Sequence, residues 1–199
     1  MLELTELQLD VLREVTNIGA GNAATALSQL VNRRVYMGVP NVRITSFNEM
    51  IDEIGSDDET VVAVELKVFG DSPGNILYIM NYEKAYKFAD VLLENFTERS
   101  DEVYMSLFNE TGNILGNTFL NAISRFTGLN LVTSVPAVAV DMLVAIVSSS
   151  FIDAEQYDDH ILSIDTSFMD TNDNNDPGGR FIYIPKPGSL NKILNNLGF

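Results

Sequence analysis

Two sets of residues in this 199-residue sequence have types and spacings that could do chemistry. The first is Gly19-Ala20-Gly21-Asn22-Ala23-Ala24. It fits G-x-G-x-x-A, a variant of the pattern whose glycines let a backbone turn close over a dinucleotide pyrophosphate. The second is Glu14 with Asn17, three residues on, and the same pair again at Glu110 and Asn113. An acid and an amide at that spacing share one face of a helix.

The two sets demand different supporting elements. A pyrophosphate loop must leave a strand and open a helix. Here Leu4, Leu7, Val11, Val15 and Ile18 recur at spacings of three and four, so a helix is already under way. Thr5 followed by Gln8 is a capping-box signature for its start, and the pattern predicts a helix to about Val31. Gly19 and Gly21 therefore fall inside a helix with no strand before them, and the nucleotide reading fails on context. With Ala23, Ala24 and Ala26 they are expected to thin the helix, so that another helix or a partner comes close.

On a helical wheel of about 100° per residue, Asp10, Glu14, Asn17 and Gly21 lie in one narrow stripe. Ser106, Glu110, Asn113 and Asn117 lie in the same stripe of a second helix. One such polar stripe reads as a solvated face. Recurrence of the same acid and amide at one register argues for more, because asparagine is a poor mid-helix residue.

The recurrence belongs to a longer repeat. At a constant offset of 96, Glu14 meets Glu110, Asn17 meets Asn113, Ser28 meets Ser124, and Val39-Pro40 meets Val135-Pro136. A second echo sets Gly74-Asn75-Ile76-Leu77-Tyr78-Ile79 over Gly179-Arg180-Phe181-Ile182-Tyr183-Ile184. We expect one domain over 1–199, built from units near 1–97 and 98–199 that share a core. In the first unit RVYMGV, VRITSF, TVVAVELKVF and NILYIM read as strands, rich in β-branched and apolar residues. GDSPG is a hairpin turn, and YEKAYKFADVLLENF a closing helix. The second unit repeats this, with a helix near 101–127, strands at LNLVTSV, HILSIDTSF and RFIYIP, and a helix near 189–197. AVDMLVAIVSSSF stays open between strand and short buried helix, and DTNDNNDPGG reads as an exposed loop. The expected fold is mixed α/β of the α+β kind: internally duplicated, pseudo-two-fold, with a largely antiparallel sheet packed against long helices.

Composition narrows the function classes. Twelve Lys and Arg against 28 Asp and Glu give a net charge of −16. That balance works against nucleic acid and anionic membranes. The sequence has no cysteine, hence no disulfide framework. Its one histidine, His160, excludes His-rich metal sites. No apolar run reaches membrane-span length, and MLELTELQLD lacks the basic, then apolar, layout of a secretory signal. A cytoplasmic protein is expected.

The whole pattern, Asp10-x3-Glu14-x2-Asn17-x22-Pro40 and again Ser106-x3-Glu110-x2-Asn113-x22-Pro136, resembles the signature of the CheC family of chemotaxis phosphatases. That family is related to CheX and to the flagellar-switch phosphatase FliY. NIGAGNAATALS and the ending IPKPGSLNKI resemble CheC most. The resemblance implies removal of phosphate from the aspartyl phosphate of the response regulator CheY. Asn17 and Asn113 would each enter the regulator's site and orient the attacking water, and Glu14 and Glu110 would pair with a lysine there. Magnesium would belong to the regulator, with no cofactor on this chain. Asp10 and Ser106 would flank the sites, while Pro40 and Pro136 would fix the chain. The receptor deamidase CheD is a second implied partner, with Asp141, Met142 and Leu143 as candidate contacts; simple core is the other reading of that run. A monomer is expected. The alternative function is an adaptor that binds CheD or CheY with little turnover.

Overall fold

The computed structural model describes residues 4–30, 32, 34–38, 41–94, 99–155, 160–165, 168–169 and 179–199. A long helix α1 (Glu6–Leu30) comes first, followed by β1 (Tyr36–Met37), β2 (Asn41–Ser46) and α2 (Phe47–Ile54). A hairpin of β3 (Thr60–Gly70) and β4 (Gly74–Asn81) leads into α3 (Tyr82–Leu92). The second half brings α4 (Asp101–Thr127), β5 (Leu131–Thr133), β6 (Ala137–Met142) and α5 (Leu143–Asp153). It closes with β7 (His160–Asp165), β8 (Phe168–Met169), β9 (Arg180–Pro185) and α6 (Ser189–Asn196).

The main sheet runs β2-β7-β9-β4-β3, with β5 and β6 both pairing along the outer edge of β3. Every pairing is antiparallel. The halves cross over in it: among the described residues, β2 pairs only with β7 of the second half, and β6 only with β3 of the first. Asn41 and Ala137 open β2 and β6, and Phe47 and Leu143 open α2 and α5, each pair 96 positions apart.

Alternation along β3 buries both faces of the sheet. Val62, Val64, Leu66 and Val68 join one core with α1, α3, α4 and α6, while Val61 and Ala63 join another with α2 and α5. The result is three layers, helices on both sides of a sheet. The GDSPG turn holds because Gly70 takes φ +103°, where any side chain would run into the Asn130 carbonyl.

Beneath α5 lies a polar cluster. Buried Asn75 donates to Glu65, to the Ser150 carbonyl and to Asp153 at 3.1–3.2 Å. Lys67 reaches Asp153 at 2.7 Å. These bonds satisfy an amide that would otherwise be costly to bury.

Three sequence expectations need correction. VRITSF ends as a strand at Ser46, and Phe47 instead opens α2. Ser46 and Glu49 form a full capping box there, at 3.2 and 2.9 Å. RVYMGV and LNLVTSV form strands of only two and three residues, at Tyr36–Met37 and Leu131–Thr133. AVDMLVAIVSSSF is both things in turn, strand to Met142 and helix from Leu143. The loop at 170–178 lies outside the described residues.

Candidate functional site

The Glu and Asn pairs stand on α1 and α4, the two longest helices. Thr5 caps α1: its amide donates to the Gln8 side chain at 2.8 Å and its hydroxyl accepts from the Gln8 amide at 3.3 Å. Leu12, Val15, Thr16, Gly19, Ala20, Ala23 and Leu27 turn inward. The opposite stripe, with Asp10, Glu14, Asn17 and Gly21, is exposed. Asp10 pairs with Arg13 on its own helix at 2.8 Å.

Helical backbone through Gly19 and Gly21 removes the strand-to-helix turn a pyrophosphate loop requires. The glycines differ in what they do. A Cβ at Gly19 would stand 3.3 Å from the Phe119 Cα and 3.4 Å from the Ala122 Cβ, so Gly19 does let α1 close on α4. At Gly21 a Cβ would meet nothing within 4 Å, so this glycine thins no contact within the chain.

Ser100 caps α4, accepting from the Val103 amide, and Gly128 ends it in the left-handed region at φ 70°. Its buried face includes Gly112 and Gly116, which lie directly on Val64 and Leu66 of β3. Ser106 and Glu110 are exposed and Asn113 is half-buried. One turn on, the Asn117 amide nitrogen donates to the Asn113 carbonyl at 2.8 Å and to its side-chain oxygen at 2.7 Å. The Thr133 hydroxyl of β5 donates to the Asn117 side-chain oxygen at 3.0 Å. Sequence reading placed Asn117 on the stripe but missed Thr133, which arrives from another element with no signal in local spacing.

Pro136 is half-buried, directly before β6, which fits a chain-fixing position; Pro40 lies outside the described residues. Asp141 and Met142 are exposed at the edge of the sheet, whereas Leu143 is fully buried and serves as core. Asp141 also lines a cleft of about 210 Å³ with Ala139, Ala145, Ile146 and Ser149. Among the described residues, no three His, Asp or Glu side chains group as metal ligands. No helix among them is long and apolar enough to cross a membrane.

Chemically, the two stripes present the same pair of groups. A side-chain amide donates and accepts at once. An exposed carboxylate one turn away can take a charge-assisted bond from a partner's cation. Glu14, Asn17 and Glu110 stand exposed on helix faces, so the arrangement suits a macromolecular surface that brings its own reacting group.

Comparison with known proteins agrees with that arrangement. The chain is 35% identical to the CheY-P phosphatase CheC of Bacillus subtilis, over 98% of its own length and 96% of that protein's. It is 26% identical to the flagellar motor switch phosphatase FliY of the same organism, over 68% of this chain and 36% of that one. The crystal structure of Thermotoga maritima FliY shares its fold, with TM-score 0.74 at 19% identity over 98% of both chains. Residues 7–44, which carry the first Glu and Asn pair, match the CheC-like family. From its fold, its paired helices and its full-length similarity, this chain belongs to the CheC-like family.

Proposed function

We propose that this protein is a phosphatase that hydrolyses the aspartyl phosphate of the chemotaxis response regulator CheY, at two sites. The observation that carries the reading is the Glu-x-x-Asn pair on each of α1 and α4, exposed but for half-buried Asn113, in a chain 35% identical to a CheY-P phosphatase. An acyl phosphate is already activated, so placing a water in line with the scissile bond suffices without a covalent intermediate on this chain. Asn17 and Asn113 would do this, each accepting from the water and donating to an oxygen beside it. Glu14 and Glu110 would hold a lysine of the regulator and fix the docking register. Magnesium belongs to the regulator's own site in this scheme.

The chain acts as one domain of two units, near 1–97 and 98–199. The exchange of β2 and β6 between halves supports this, because neither half has a complete sheet alone. We further propose a cytoplasmic monomer, with CheD contacting exposed Asp141 and Met142.

The test is the lifetime of phosphorylated CheY in the presence of catalytic amounts of this protein. A shortened lifetime is expected. A lifetime unchanged with and without CheD would replace this reading with the adaptor one.

A further inference from the structure

The hydrogen bonds around Asn113 determine which way its amide points. A backbone carbonyl only accepts, so the group that Asn117 turns toward the Asn113 carbonyl, 2.8 Å away, is its NH2. The Thr133 hydroxyl at 3.0 Å completes that assignment by donating to the Asn117 oxygen. The same NH2 lies 2.7 Å from the Asn113 side chain, and an NH2 needs an acceptor there. Asn113 therefore turns its oxygen toward Asn117 and its own NH2 away. A carbonyl oxygen has two lone pairs, so one remains to accept from a water.

The first site lacks this device. Position 21 is glycine and position 37, the counterpart of Thr133 at the offset of 96, is methionine. No side-chain hydrogen bond holds Asn17 among the described residues.

We infer that Asn117, anchored by Thr133, is a positioning residue of the second site that locks the orientation of the Asn113 amide for hydrolysis. This rests on the phosphatase reading above. Placing a water in line requires the carbonyl on one side and the NH2 on the other. A flipped amide presents the wrong atom to each. Holding one orientation before docking removes that reorganisation from the barrier.

The test uses full-length protein in which one site works at a time. In Asn17→Ala protein, where the second site alone turns over, Asn117→Ala lowers kcat about tenfold with KM unchanged. In Asn113→Ala protein, where the first site alone works, the same change alters kcat less than about twofold. Thr133→Val lowers the kcat of the Asn17→Ala protein and Thr133→Ser restores it. That second pair also covers the case in which Asn117→Ala does not fold. In the Asn17→Ala protein, unchanged kcat after both Asn117→Ala and Thr133→Val overturns the inference and leaves the phosphatase reading intact. Equal losses in the two backgrounds overturn it too, as a general structural effect. If the wild-type protein does not speed release over the regulator alone, the phosphatase reading fails and takes this inference with it.

Discussion

At the residue scale, the site is legible where chemistry and register coincide. The recurrence of Glu14 with Asn17 at Glu110 with Asn113 follows from spacing, because a repeat at constant offset preserves the helix face as well as residue type; the roles of these residues rest on the family resemblance. The bond from Thr133 to Asn117 does not, since it depends on β5 packing beside α4. A neighbouring position gives a stability prediction. Thr111 is fully buried, and its hydroxyl finds no hydrogen-bond partner among the described residues. Val15 fills the equivalent place in α1. Thr111→Val should stabilise the protein by about 1 kcal/mol, since it removes a desolvated hydroxyl at nearly constant shape. Urea unfolding would report a higher midpoint with the same slope; a lower midpoint would mean the hydroxyl is satisfied in solution.

At the scale of elements, helices and the central hairpin were readable because their signals are local. The capping box at Thr5, the apolar period of α1 and the turn at GDSPG each act within a few residues. Even α2, which the strand reading of VRITSF overran, carries its own signature in Ser46 and Glu49. What sequence cannot separate is glycines that look alike. Gly112 lies against β3, where a Cβ would stand 2.9 Å from the Val64 Cβ, while Gly21 faces open space. Gly112→Ala should therefore cost about 1–3 kcal/mol through overpacking. Gly21→Ala should stabilise by up to about 1 kcal/mol through helix propensity. Opposite shifts in melting temperature are expected, and shifts of the same sign would contradict this packing of α4 on the sheet.

At the scale of the molecule, the crossing of strands between halves was not legible, because pairing partners more than 60 residues apart leave no local trace. Nor was the cluster that ties α5 to the sheet. The hydrogen bond from Lys67, and then that from Asn75, hold the Asp153 carboxyl below the usual carboxylate range. A carboxylate with a lowered folded value contributes stability that is present above its unfolded value, about 3.9. That contribution is lost as pH falls through the folded value. The stability gap between wild type and Asp153→Asn should therefore be constant above about pH 5 and close progressively below pH 4. A gap that persists unchanged at pH 2 would show that Asp153 acts by packing alone.

The most direct test of the two-site account is phosphate release from phosphorylated CheY by four proteins: wild type, Asn17→Ala, Asn113→Ala and the double variant. The account predicts that each single variant keeps part of the activity and the double variant keeps none. A double variant that still releases phosphate at the wild-type rate would contradict it.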